Sequence, residues 1–127
     1  MNIPETLRYT DHDEWIRADD DGTVVIGITD FAQDALGDIV FVDLPAVGDT
    51  FAAGEALAEV ESTKATAEIY TPVAGEVVEV NGELDGSEEL VNSDPYGQGW
   101  MVRLRAADTS ALAALKDAAA YRVKIQG

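Results

Sequence analysis

Hydrophobic and polar positions alternate along the chain in short runs, and turn-forming residues separate one run from the next. The predicted strands are, in order, 22–29 (GTVVIGIT), 38–45 (DIVFVDLP), two short pieces within 47–62, an interrupted run over 66–82, and 99–106 (GWMVRLRA). Gly48 and Gly54 bend the third segment, and Pro72 interrupts the fourth. Because many short strands at close spacing are typical of barrels and sandwiches, the pattern predicts a mainly β fold.

Two stretches have a helical pattern instead, and both lie beside the strand-rich segments. In 30–38 (DFAQDALGD), Asp30 can cap, Gln33 follows three residues later as in a capping box, and Gly37 suits the position after the helix. We predict a short helix here and a C-terminal helix over about 109–121. The whole chain, 1–127, is expected to form a single domain with a core over about 20–105.

Composition excludes several classes of function. The 127 residues carry a net charge of −17, which argues against nucleic-acid binding and against a polybasic membrane surface. With no cysteine and one histidine, neither a thiolate nor a histidine-rich metal site can be built. No apolar run is long enough to cross a membrane, and the first residues lack the features of a signal or transit peptide.

One lysine is isolated in an acidic stretch, 61–70 (ESTKATAEIY). Between Arg17 and Arg103, Lys64 is the only positive side chain. Alternation on both sides predicts two paired strands joined by a turn over 62–65, with Lys64 exposed at its tip. The flanking carboxylates favour the charged ammonium, which argues against a Schiff-base nucleophile. Lys64 is therefore either an ordinary solvated residue or a site that another enzyme acylates.

Four segments together carry a resemblance to a known family. The turn ESTKATAEIYTPVAGEV is similar to the lysine-bearing hairpin of lipoyl domains, with Gly48 16 residues before Lys64 and Gly75 11 residues after it. The segments GITDFAQDALGDIVFVDLP, LVNSDPYGQGWMVRL and LRYTDHDEWIR extend the likeness over nearly the whole chain. On these motifs the chain resembles the H proteins of the glycine cleavage system.

The resemblance implies a lipoyl-domain-like flattened barrel sandwich, with a short helix after the early strands and a C-terminal helix. It implies lipoate joined to Lys64 by an amide, within a turn formed by Glu61, Ser62, Thr63 and Ala65. Such a protein is a carrier and not a catalyst. It takes an aminomethyl group from the pyridoxal-phosphate-dependent glycine decarboxylase to the tetrahydrofolate-dependent aminomethyltransferase, and passes electrons to the FAD-dependent dihydrolipoyl dehydrogenase.

Further expectations follow from the same resemblance. A lipoyl ligase or transferase would modify Lys64, and the protein would be cytoplasmic in a bacterium or a mature form in the mitochondrial matrix. Glu14 would contact the loaded arm, by which we mean the lipoyl-lysine side chain carrying its amine; the alternative is a solvated charge. Trp15 and Phe31 would shield the arm from water, and the alternative for Trp15 is a residue of the core or of the cleft wall. The chain has Asp13 and Phe31 where many relatives have histidine.

The sequence also bears on four other functions. A lipoate relay would donate its lipoyl group to other complexes, and the sequence does not separate that role from glycine cleavage. Biotin carriers have methionine on both sides of the modified lysine, whereas Thr63 and Ala65 flank Lys64. An acidic interaction module without a cofactor would leave Lys64 unexplained. A stand-alone enzyme lacks candidate groups, because the chain has one histidine and no phosphate-binding glycine-rich loop.

Overall fold

The computed structural model describes residues 1–126, which form two antiparallel sheets and three α-helices. The strands are β1 (Arg8–Tyr9), β2 (Glu14–Ala18), β3 (Thr23–Ile28), β4 (Ile39–Asp43), β5 (Thr50–Phe51), β6 (Ala56–Ser62), β7 (Thr66–Tyr70), β8 (Gly75–Val80) and β9 (Val102–Ala106). The helices are α1 (Asp30–Leu36), α2 (Leu90–Ser93) and α3 (Ala118–Gln126), with 3₁₀ turns at Gly82–Leu84 and Ser110–Ala114. The predicted mainly β class is confirmed.

The main hydrophobic core lies between the two sheets. The larger sheet has the strand order β1-β2-β3-β9-β8-β5, and the smaller has the order β4-β6-β7. Val24 and Ile26 of the first pack in one cluster with Val60 and Ile69 of the second. Since β6 and β7 place alternate residues in this cluster, their other side chains face outward. The lysine-bearing hairpin is therefore fixed to the core along one face.

A second hydrophobic cluster covers the opposite face of the larger sheet. Trp15 and Val25 point into it, and the rings of Tyr9 and Tyr121 stack there with their centroids 4.7 Å apart. All six residues of β3 are buried because both faces of this strand are covered. The predicted core of about 20–105 was therefore too short. Buried hydrophobic residues outside those bounds are Ile3, Leu7, Tyr9, Trp15, Ile16, Leu112, Ala118 and Tyr121.

Helix α1 occurs where it was predicted, but its N-cap is Thr29 and not Asp30. The Thr29 hydroxyl accepts from the Ala32 N–H at 3.2 Å, the usual N-cap interaction. Asp30 is the first helical residue, and its carboxylate accepts from the Gln33 side-chain amide at 2.7 Å. The prediction of a capping box that begins at Asp30 was therefore wrong. Gly37 ends the helix as predicted, with φ +81° and its N–H donating to the Gln33 carbonyl.

The predicted C-terminal helix over about 109–121 is divided into a 3₁₀ turn and α3. Leu115 is extended, with ψ 161°. Lys116 exchanges two backbone hydrogen bonds with Tyr9, at 2.8 and 3.0 Å. In this bridge the N–H and C=O groups of Lys116 bond to Tyr9 of β1, so they do not form the intrahelical hydrogen bonds of a continuous helix. The helix resumes at Ala118 and runs to Gln126, beyond the predicted end.

Within residues 1–126, the helices are too short and too polar to cross a lipid bilayer.

Candidate functional site

The turn that carries Lys64 is fixed by the side chain of Ser62. Ser62 is 6% exposed, and its Oγ accepts from the backbone N–H groups of Lys64 at 3.2 Å and Ala65 at 3.0 Å. The Thr63 N–H donates to the carbonyl of Asp38, which ties the turn to the segment between α1 and β4. These bonds hold the backbone of an exposed turn in one geometry. Lys64 lies at its tip, as predicted.

The side chain of Lys64 lies over Gly37, just beyond the end of α1. A Cβ atom on Gly37 would come within 3.3 Å of Lys64 Cε, a tighter approach than ordinary packing. Only glycine combines this approach with a φ of +81° at low cost. Among the described residues, the ion pairs do not include Lys64, although every other lysine forms one. Its ammonium therefore projects from the turn without a carboxylate bound to it.

Glu14, at the start of β2, is fully buried, which excludes the alternative of a solvated charge. Its Oε1 accepts from the Thr10 hydroxyl at 2.5 Å, and its Oε2 accepts from the Tyr70 N–H at 2.7 Å. Burial raises the pKa of Glu14 above its ordinary value, and the two hydrogen bonds oppose part of that rise. The carboxylate is thus held in place by two donors, and it takes part in none of the ion pairs found within residues 1–126.

Glu14 lines a pocket of about 180 Å³. The rings of His12 and Tyr70 pack against each other on one side of the pocket, with centroids 4.6 Å apart. On another side lies Lys116, whose Nζ is 2.5 Å from the Asp11 carboxylate. The pocket therefore has one buried carboxylate, an aromatic wall and a rim of paired charges. A small group bearing an amine matches this lining.

Trp15 does not reach this pocket. Its ring is fully buried in the second hydrophobic cluster, where Nε1 donates to the Pro95 carbonyl at 2.9 Å. Gly27 lies opposite it on β3, and a Cβ there would come within 2.6 Å of the indole. Trp15 is therefore a core residue with no exposed surface. The predicted role of Trp15 as a shield for the arm was wrong, since adjacent strand residues such as Glu14 and Trp15 point to opposite faces.

Phe31 is also separate from Glu14. It lies in the first turn of α1 and lines a groove with residues from both chain ends, including Ile3 and Ile125. Lys64 approaches the other end of α1, at Gly37. The structure therefore does not bring Glu14, Trp15 and Phe31 together as one arm site.

Asp13 ties the N-terminal turn to α3. Its carboxylate accepts from the Tyr121 hydroxyl at 2.9 Å and lies 3.2 Å from Lys124 Nζ. Its backbone has φ 65°, a left-handed conformation that Asp tolerates better than most residues. Asp13 therefore stabilises the turn that leads into Glu14.

Sequence reasoning missed three contributors to the site: Thr10, Tyr70 and Gly37. Thr10 is four residues before Glu14, and its hydroxyl could have been suspected as a local partner. Tyr70 bonds Glu14 from 56 residues away and between two sheets, and no local pattern indicates that contact. Gly37 was predicted only as the end of a helix, although it also makes room for the Lys64 side chain.

Comparison with known proteins agrees with this geometry. The family model for the glycine cleavage H-protein matches residues 7–127. The glycine cleavage system H protein of Cronobacter sakazakii is 52% identical over 125 residues, covering 98% of this chain and 97% of the relative. That of Mycobacterium tuberculosis is 54% identical over 127 residues, covering 95% of each.

A solved structure extends the likeness to three dimensions. The crystal structure of a glycine cleavage system H protein from Mycobacterium marinum matches with a TM-score of 0.88 and 40% identity, covering 98% of this chain and all of that one. The predicted lipoyl-domain-like sandwich is thereby confirmed. With a family model over nearly its full length and relatives above 50% identity, this chain belongs to the glycine cleavage H-protein family.

Proposed function

We propose that this chain is a lipoyl carrier of the glycine cleavage system, with the lipoyl group joined by an amide to Nζ of Lys64. The observation that carries the proposal is the placement of Lys64: it is exposed, it lies at the tip of a turn fixed by Ser62, and it belongs to none of the described ion pairs. Family membership supports the identity of the group. When bound, lipoate supplies a dithiolane that accepts electrons and an aminomethyl group, chemistry that a chain without cysteine lacks.

The residues around Lys64 fit an acylated lysine. Forming an amide removes the positive charge of Lys64. Because Lys64 belongs to none of the described ion pairs, this loss of charge would break none of them. Gly37 leaves space beside the side chain, and the exposed turn can enter the active site of another enzyme. In this proposal Lys64 is the residue that other enzymes modify, so the chain acts as the substrate of its partner enzymes and not as a catalyst.

The pocket around Glu14 would hold the end of the loaded arm between enzymes. It lies at the far end of β7 from Lys64, so an arm extending from the turn would run along that strand. An amine at the end of the arm is protonated near neutral pH. Glu14 has no exposed surface in the unloaded chain, so the pocket would have to open before Glu14 accepts a charge-assisted hydrogen bond from this amine. The neutral, unloaded arm gains no such bond. Binding to this pocket would therefore depend on loading.

The proposed partners are those of the glycine cleavage system. Glycine decarboxylase would load the arm, the aminomethyltransferase would unload it, and dihydrolipoyl dehydrogenase would reoxidise it. A lipoyl ligase or transferase would attach the group at the start. A net charge of −17 would direct the carrier to basic surfaces on these enzymes.

Reconstitution with the three purified enzymes tests this function. Lipoylated wild-type protein should support release of CO₂ from glycine carboxyl carbon, and Lys64→Arg should support none. The same preparation should be offered to a lipoyl-dependent dehydrogenase complex that lacks lipoate. If it restores that complex but supports no glycine decarboxylation, the role of lipoate relay replaces the proposed one.

A further inference from the structure

A β-bulge in β4 turns Phe41 away from the core. β4 pairs with β6 in antiparallel register, with Ile39 opposite Ser62 and Phe41 opposite Glu61, and the register shifts between these pairs. Strict alternation from the buried Ile39 would have pointed Phe41 inward. The extra residue, Val40, moves it to the outer face instead.

The result is an exposed apolar patch on the smaller sheet. Val40 is 51% exposed and Phe41 is 50% exposed, both large hydrophobic side chains on adjacent positions. We call these two residues the Phe41 patch. The next residue, Val42, packs against the main core again, so β4 itself is firmly held. An aromatic ring presented on a rigid strand is typical of a contact surface for another protein.

The Phe41 patch is bordered by negative charge. Glu61 lies directly opposite Phe41. Two cross-strand rows farther along, Asp43, Glu59 and Glu68 follow one another over three strands. Like charges opposite one another destabilise a sheet, so this row has a cost in the isolated chain. A partner surface with basic residues around an apolar centre would offset that cost and cover the ring at the same time.

The patch also adjoins the turn that carries Lys64. Phe41 pairs with the residue three positions before Lys64, which places it roughly 10 Å from the tip along the strand. The Thr63 N–H is bonded to the segment that leads into β4. Any protein that encloses the unmodified Lys64 side chain must therefore approach the surface that contains Phe41.

This proximity favours one partner over the others. An enzyme that acylates Lys64 must reach an amine at the end of a four-carbon stem, so its surface has to meet the turn and its surroundings. Enzymes that act on the far end of a completed arm need not approach as closely. We propose that the Phe41 patch is the docking surface for the enzyme that attaches the lipoyl group, through an apolar contact with a basic rim. This inference rests on the proposed function.

In that docked complex Lys64 Nζ, after losing its proton, attacks the carbonyl carbon of a lipoyl adenylate. A C–N amide bond forms and the bond to the adenylate phosphate breaks, with AMP as the leaving group. The carrier supplies only the amine and the surface that positions it. Loss of the Phe41 contact should therefore act on the encounter with the enzyme and not on the acyl transfer itself.

The test measures lipoylation rates with a lipoate ligase, lipoate and ATP. Phe41→Thr removes the ring but introduces a β-branched residue that suits a strand. Val123→Thr on α3 is the matched control, since Val123 is 71% exposed on the opposite side of the larger sheet. We expect Phe41→Thr to lower kcat/KM at least about tenfold through KM, with kcat and thermal stability retained. Val123→Thr should match wild type.

A second variant tests the charged border. Glu59→Gln removes the central carboxylate of the cross-strand row, and it should raise the thermal midpoint while raising KM at low salt. At high salt its KM should meet that of wild type, because screening removes the same attraction.

The outcomes separate this inference from the proposed function. If wild type is lipoylated and Phe41→Thr is modified at the same rate, the docking role is wrong while the carrier role stands. If Phe41→Thr is lipoylated normally but raises the KM of glycine decarboxylase, the patch belongs to that enzyme and the inference is overturned. If wild type takes up no lipoyl group, both the carrier role and the inference fail.

Discussion

The backbone N–H of Tyr70 donates a hydrogen bond of 2.7 Å to the carboxylate of Glu14. Tyr70 ends the strand that begins just after Lys64, and Glu14 begins a strand in the other sheet. One buried charge therefore links the lysine-bearing hairpin to the N-terminal turn. The strand that follows Lys64, the proposed attachment site, also forms a wall of the pocket proposed to hold the arm's end.

The free energy of unfolding of the protein without lipoate should depend on the ionisation of Glu14. Burial raises the pKa of Glu14 in the folded chain above its ordinary 4.5. As pH rises through 4.5, the unfolded chain loses this proton first while the folded chain retains it, so the free energy of unfolding falls until the pH passes the raised pKa. Glu14→Gln has no such proton. Relative to this variant, wild type should lose stability as pH rises through that window.

Denaturant titrations of both proteins at several pH values give the comparison. Other carboxylates contribute equally to the two proteins, and the difference isolates Glu14. For instance, hydrogen bonds from Arg17 and Arg103 lower the pKa of Asp19, which stabilises the fold as pH rises. A difference that is constant with pH would mean that Glu14 ionises as it does in the unfolded chain.

Glu14 should also protect the loaded arm. Glu14→Ala removes the acceptor, and Glu14→Gln retains the shape without the charge, so both should speed spontaneous loss of the aminomethyl group from isolated loaded protein. A charge-assisted hydrogen bond of about 1.5–3 kcal/mol corresponds to roughly a 10- to 150-fold change in the protected population. Lipoylation of Lys64 should be unchanged. Decay at the wild-type rate in both variants would remove Glu14 from this role.

Ser62 should determine how well the lysine turn is ordered. Ser62→Ala deletes the oxygen that accepts from the Lys64 and Ala65 N–H groups, with an expected loss of about 1 kcal/mol in the free energy of unfolding. Ser62→Thr is the matched control, because it keeps the hydroxyl. Denaturant unfolding measures the loss, and proton exchange at the Lys64 amide should quicken in Ser62→Ala. Equal exchange in both variants would contradict the role of the Ser62 hydroxyl.

The acidic surface should steer the carrier toward its enzymes. Glu61 and Glu68 are exposed on the outer face of the hairpin. If they attract basic partner surfaces, the apparent KM of glycine decarboxylase for the carrier should rise a few-fold with added salt. The reason is that salt screens attraction between exposed charges separated by more than about 8 Å at physiological ionic strength, and by less as more salt is added. Replacing both with Gln should flatten that dependence, while Gln at Glu83 and Glu89 should not. If the KM for the wild-type carrier does not change with salt, the acidic surface serves solubility and not steering.

Sequence pattern was informative wherever a feature depends on near neighbours. Alternation around Lys64 predicted both strands and the exposed turn, because side chains two residues apart share a face of the strand. The end of α1 at Gly37 followed from a glycine that tolerates positive φ. These features are local, and the structure confirms them.

Features that depend on distant partners were missed. The bulge that exposes Phe41 arises from the pairing of β4 with Glu61 on another strand. The divided C-terminal helix results from the bridge between Tyr9 and Lys116, and burial of Glu14 requires the Tyr70 N–H. No local periodicity encodes these contacts. They follow only once the two sheets are assembled.

The site of lipoylation tests the central claim most directly. Purified protein incubated with a lipoate ligase, lipoate and ATP should gain the mass of one lipoyl group, and peptide mapping should place it on Lys64. Lys116 and Lys124 are ion-paired with Asp11 and Asp13, at 2.5 and 3.2 Å, and should remain unmodified. Lys64→Arg should abolish the gain while changing stability by no more than about 0.5 kcal/mol. A lipoyl group on Lys116 or Lys124, or none on any lysine, would contradict the account.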